Sequence, residues 1–245
     1  MKTLSVQEHF RELQYRIKKT LTFFVLAFLV SYCYKYEIYN FILQPLVKVN
    51  NGEFRKIIYT DLTEAFFSYL KLSACSALIF SIPVINWQLY RFILPGLLNF
   101  ERKIAVFLLT IAPILFLLGF VFVYYYAMPN AWNFFISFEH AKNTVVPLML
   151  EAKISEYINL TIQFIIAFGV AFQLPIIMVI LKLLNIINAA SLIKHRRIAI
   201  VINFIIAAIL TPPDILSQFL LAIPMISLYE LSILIFKFLE KHNKC

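Results

Sequence analysis

Six charge-free, largely apolar stretches punctuate the chain, at 20–34, 72–90, 104–138, 157–181, 198–213 and 215–229. A helix needs about 20 residues to cross the hydrocarbon of a bilayer, within a range near 17–25. The second, third and fourth stretches reach that length unaided. Pro129 lies inside the third, and proline lacks an N–H and clashes with the carbonyl four residues earlier. A helix is therefore expected to end there, leaving 104–128. Pro83 predicts a kink in the last turns of the second stretch. The fifth and sixth are separated only by Thr211, Pro212, Pro213 and Asp214. Two prolines and a carboxylate predict a tight turn rather than a helix at mid-bilayer. The pattern thus predicts an all-α, polytopic membrane protein with six transmembrane helices in a single membrane domain over 1–245. The spans are expected at about 20–38, 70–90, 104–128, 157–181, 198–211 and 215–236, the last two forming a hairpin. Fifteen or sixteen residues reach only about 24 Å against about 30 Å of hydrocarbon. The last two spans must therefore borrow flanking residues or thin the bilayer.

Outside these stretches the polar pattern is helical. Val6, Phe10, Leu13 and Ile17 share one face, and Ser5 with Glu8 fits a capping box. Residues 1–19 thus predict a cytoplasmic amphipathic surface segment. Asp61 and Glu64 form a second capping box ahead of Ala65–Leu70, which predicts a short helix at the outer interface. The segment 129–156 has room for another.

Composition sharpens the class. Hydrophobic residues make up 62% and charged residues 14%; soluble domains run near 45–50% and 25%. Mean hydropathy is +0.82. The net charge of +9 could suggest nucleic acid in a soluble protein, but here the charges sit between apolar runs and set topology instead. Of the 22 Lys and Arg, 15 fall in the N-terminal tail, around Arg91–Lys103, in Lys182–Arg197 and in the C-terminal tail. The other seven fall near 35–71 and at Lys142 and Lys153. Both termini are therefore expected in the cytoplasm, with Asn50, Asn143 and Asp214 outside.

The chemistry is sparse. No HExxH, GxSxG, P-loop or GxGxxG occurs, Gly is rare, and Cys33, Cys75 and Cys245 form no CxxC. His9, His140, His195 and His242 are scattered outside the spans. No catalytic residue, metal or cofactor is expected, and the protein does not read as an enzyme. A proton pump would carry mid-depth carboxylates or histidines, and a small-molecule transporter would show inverted repeats. A respiratory-complex subunit would need paired histidines within spans. The start, charged and amphipathic, does not read as a cleaved signal peptide.

Five motifs remain: Glu8–Arg16; Pro83–Leu97 running to Glu101 and Arg102; Gly119–Pro129 with Phe122 and Tyr124; Phe168–Pro175; and Leu210–Met225 followed by Leu228–Glu230. Together, in order and over nearly the whole chain, they resemble the TatC family, the signal-peptide receptor of the twin-arginine protein translocase. The resemblance implies a concave, cup-like bundle that exports folded proteins using the proton-motive force. It implies TatA-like and TatB-like single-span partners, twin-arginine signal peptides as ligands, and a homo-oligomer within a larger complex. It places the chain in a bacterial inner membrane or an organellar inner membrane. It assigns Glu12, Glu101, Arg16, Phe92 and Pro95 to signal-peptide binding, Gln173 and Gln218 to a partner helix, and Pro212, Pro213 and Asp214 to a structural turn. Carboxylates suit that task because guanidinium groups take bidentate bonds from them. The residues alone allow other readings: Glu12 pairs with Arg16 four residues on, and Glu101 with Arg102 or a neighbouring helix. The chain departs from the family pattern at Gln14, where a basic residue is common. It departs again at Trp87, where Tyr is usual, and at Gln173, where many members carry a carboxylate. Gln173 could bond a backbone carbonyl freed by Pro175, or a polar side chain on a docking helix.

Overall fold

A computed structural model of the chain describes residues 6–49, 57–93, 99–138, 151–183, 186–211 and 214–242, with the side chains of 6, 8, 9, 93, 99–104, 183, 189 and 238–242 outside that description. Nearly every described residue is helical, and the β pairing among them is one bridge between Ile58 and Lys153. The backbone groups into two compact units, Met1–Ile42 with Tyr59–Ile114, and Leu43–Ile58 with Leu115–Cys245.

In the first unit, α1 (Val6–Cys33) lies along α3 (Glu64–Ile93). The amphipathic stripe expected at 5–19 is not a separate surface helix, because α1 runs unbroken into the first apolar stretch. No Gly or Pro intervenes, and the Thr20 and Thr22 hydroxyls donate back to the Arg16 and Lys18 carbonyls at 3.0 and 2.9 Å. The helix ends at Cys33 rather than near 38. There the chain turns by 76° into α2 (Lys35–Val49). Lys35 Nζ sits 4.2 and 5.3 Å from the Tyr32 and Tyr36 ring centroids, and Tyr36 and Tyr39 each pack edge-on to Tyr69 at 5.5 Å. A cation among amphipathic rings is what a membrane–water boundary favours.

The second capping box is only partly formed ahead of α3: the Asp61 N–H reaches Glu64 Oε2 at 3.4 Å, while the Asp61 carboxylate bonds the Thr63 N–H rather than that of Glu64. Glu64 Oε2 accepts from the Thr60 N–H at 2.8 Å, and Asp61 Oδ1 from the Thr63 N–H at 3.3 Å. The short interfacial helix expected over Ala65–Leu70 is instead the opening of α3 itself, since no breaker separates it from the second apolar stretch. Ser73, Ala77 and Ser81, spaced by four, are fully buried and leave room for close approach on that face. Pro83 is accommodated inside the helix.

In α4 (Asn99–Phe122) the expectation of a stop at Pro129 is overturned. The helix passes through a π segment, Val123–Ala127, into α5 (Met128–Ser137). The Met128 N–H bonds the Val123 carbonyl five residues back. This wider turn shifts the hydrogen-bond register ahead of Pro129, and the Asn130 side chain donates to the Tyr126 carbonyl at 2.6 Å.

The second unit continues with α6 (Ile154–Ala171), α7 (Leu174–Leu183), α8 (Ala189–Lys194), α9 (Arg196–Leu210) and α10 (Ile215–His242). Glycines bring α4 and α6 into close contact. A Cβ at Gly119 would lie 2.9 Å from the Phe168 carbonyl oxygen, and one at Gly169 would lie 2.3 Å from the Phe116 ring. Tyr229, Ile233 and Phe236 of α10 pack with Leu192 of α8, and the Tyr229 hydroxyl donates to the Leu192 carbonyl at 2.8 Å. Four helical stretches are long and apolar enough to cross a bilayer: Glu64–Phe92, Ala105–Ser137, Ile154–Lys182 and Ile215–Lys237. The bent α1–α2 pair adds a fifth if it counts as one span. With 15 residues, α9 reaches about 22 Å.

Candidate functional site

Arg16 organises the site in the first unit. Along α1, Leu13, Arg16, Ile17, Thr20, Leu21 and Phe24 follow helical spacing and face Ile85, Gln88, Leu89 and Phe92 of α3 across an apolar groove of about 460 Å³. Arg16 is the cation set into that stripe. Its Nε donates to Glu12 Oε1 at 3.1 Å, and a terminal nitrogen also bonds that oxygen. The same terminal nitrogen donates to the Arg91 carbonyl at 3.0 Å, and the other donates to Gln88 Oε1 at 3.4 Å. The side chains of Arg16 and Glu12 keep 16% and 26% of their exposure, so the pair is half-buried and only partly screened by water. One turn away, Lys19 bonds the Tyr15 hydroxyl and lies 4.5 Å from its ring centroid, which lowers the Tyr15 pKa.

Glu12 therefore offers a carboxylate with one oxygen engaged, beside an apolar channel. Such a surface accepts a guanidinium and shelters the apolar residues next to it. The structure brings Glu12, Arg16 and Phe92 together. Pro95 and the Glu101 side chain lie outside the described residues. Gln88 and the Arg91 carbonyl were missed at the sequence level. A signal for Gln88 existed, because Ile85, Gln88, Leu89 and Phe92 form an i, i+3, i+4, i+7 stripe in which the amide is the polar member.

The second unit holds the other expected positions. Asp214 Oδ1 accepts from the Ser217 N–H at 2.7 Å and caps α10. Pro212 and Pro213 lie outside the described residues. At the C-terminal end of α9, Gln163 Nε2 of α6 donates to the Leu210 carbonyl at 3.1 Å, satisfying an end carbonyl of that helix. Gln218 Nε2 donates to the Phe204 carbonyl at 3.1 Å, and Phe204 stacks edge-on with Phe219. Gln218 thus has a bond inside the α9–α10 hairpin. Gln173 is half-buried in the turn between α6 and α7, where its carbonyl accepts from the Ile176 and Ile177 N–H groups at 3.0 Å. Glu230 of α10 pairs with Arg196 at the start of α9, 2.7 Å apart. No cluster of three His, Cys, Asp or Glu among the described residues could hold a metal.

The family model described as Sec-independent protein translocase protein (TatC) matches residues 8–224. The chain belongs to the TatC family. The Sec-independent protein translocase protein TatC of Rickettsia prowazekii is 54% identical over 240 residues, covering 98% of this chain and 95% of that protein. The TatC of Magnetococcus marinus is 36% identical over 96% of this chain and 84% of its own length. A crystal structure of the twin-arginine translocase receptor TatC superposes with a TM-score of 0.76 at 31% identity, covering 94% of this chain and 99% of that one. This TatC-family fold is helical and multi-pass, in keeping with an integral membrane protein.

Proposed function

We propose that this TatC-family chain is the receptor subunit of a twin-arginine protein translocase, a transport protein rather than an enzyme. It binds the paired arginines of signal peptides at its cytoplasmic face through Glu12 and Glu101. Arg16, Phe92 and Pro95 shape the same surface. The observation that carries this reading is the half-buried Glu12 carboxylate, held on one oxygen by Arg16 beside the apolar groove of α1 and α3. An acid concentrated at one point on a basic face attracts a basic peptide that the rest of the face repels. The chain crosses the membrane six times with both termini cytoplasmic. TatA-like and TatB-like single-span helices dock on the second unit, where Gln173 and Gln218 offer polar contacts, and copies of the chain assemble into a larger complex. Export of folded cargo draws on the proton-motive force. Photo-crosslinkers placed at positions 12 and 101 should capture a twin-arginine signal peptide and should lose it when the peptide's arginines become lysines. Capture that ignores the arginine change would refute the assignment.

A further inference from the structure

We propose that Gln88 is a positioning residue: by giving Arg16 an alternative acceptor, it sets how readily Glu12 takes up the guanidinium of a signal peptide. This rests on the reading of Glu12 as a signal-peptide contact. Arg16 is itself a guanidinium, and it already occupies Oε1 of Glu12. It stands as an internal competitor for the incoming arginine. Its remaining bonds reach α3, to Gln88 Oε1 at 3.4 Å and the Arg91 carbonyl at 3.0 Å. With 16% of its side chain exposed among Leu13, Ile17, Leu89 and Phe92, Arg16 cannot exchange Glu12 for bulk water without cost. It needs acceptors on the protein. Gln88 and Arg91 lie three residues apart on one face of α3, so Arg16 can shift its bonds toward α3 while its stem stays in the groove. In one state Arg16 bridges Glu12 and α3. In the other it rests on α3 alone, and Glu12 is released to the peptide. The strength of the acceptor at position 88 sets the balance between them. A neutral amide is weaker than a carboxylate in that role.

The test uses the full-length protein in lipid nanodiscs, titrated with a synthetic twin-arginine signal peptide. Gln88→Leu and Gln88→Glu are each measured in the wild-type and Glu12→Gln backgrounds. Gln88→Leu should weaken binding about threefold to tenfold, and Gln88→Glu should strengthen it by a similar factor, the range expected for part of one charge-assisted bond. Both effects should disappear in Glu12→Gln, where no carboxylate remains for Arg16 to release. Effects that persist there would mean direct attraction of the peptide or general packing damage, and would overturn the proposal. Silent Gln88 variants beside a weakened Glu12→Gln would overturn it alone. Unchanged binding in Glu12→Gln would remove the reading of Glu12 and this proposal together. Should Gln88→Leu fail to fold, Gln88→Glu decides the matter by the same comparison.

Discussion

Glu12 can lose its side chain without orphaning Arg16, because the guanidinium keeps Gln88 and the Arg91 carbonyl. Glu12→Ala should therefore cost less than about 1 kcal/mol of stability, as partly exposed pairs do. Its effect on signal-peptide binding should be larger. A hydrogen bond to a charged group contributes about 1.5–3 kcal/mol, which is tenfold or more in affinity. Glu101→Ala should act in the same direction. Crosslinking to a signal peptide and thermal melting, measured on both single variants and the double, separate the two effects. Unchanged crosslinking and transport in the double variant would exclude the assignment. The i+4 pair with Arg16 engages Oε1 of Glu12, and the proposed peptide contact would approach the other oxygen.

Helices are decided by their few irregular residues. Gly119 is one, since the atom nearest an added Cβ is a backbone oxygen of α6, which cannot swing aside. Overpacking costs about 1–3 kcal/mol, while Gly to Ala returns about 1 kcal/mol of helix propensity. Gly119→Ala should on balance lower the melting temperature, and a rise would mean that α4 and α6 separate easily. Gln173 is another. Interhelical polar pairs in bilayers average about 0.6 kcal/mol with maxima near 1.7, so the proposed contact would tune docking rather than create it. Gln173→Leu should reduce crosslinking to a TatA-like or TatB-like helix while signal-peptide binding holds. Unchanged partner crosslinking with a lower melting temperature would assign Gln173 an internal bond instead. An amide does not titrate, so this contact should not vary between pH 5 and 8.

Across the molecule, the charge asymmetry and the hairpin make one topological prediction. With 28 residues, α10 extends about 42 Å and overruns the hydrocarbon, while α9 falls short of it at about 22 Å. The hairpin spans only if Asp214 reaches the outer surface and the bilayer adapts around α9. Single cysteines at 50, 143 and 214 should label from the outer side alone. Labelling of 50 or 143 only from the cytoplasm would sink the six-span arrangement, and the same result at 214 would make α9 and the start of α10 re-entrant.

The sequence by itself determined the class, the helical content, the break between α9 and α10 and the family. These depend on periodicity, composition and local hydrogen-bonding chemistry, all written in neighbouring residues. Glu12, Arg16 and Phe92 were singled out by the resemblance of their motifs to the TatC family, since the residues alone left Glu12 equally readable as an i+4 partner of Arg16. Three features were settled only by the tertiary structure. Pro129 stays within a helix because a π turn, invisible to spacing rules, shifts the hydrogen-bond register before it. The N-terminal amphipathic stripe, which no Gly or Pro separates from the first apolar stretch, lines one groove with it against α3, from Leu13 to Phe24. Gln88 and the Arg91 carbonyl join Arg16 across 72 and 75 residues of chain, and only the packing of α1 on α3 brings them within bonding distance.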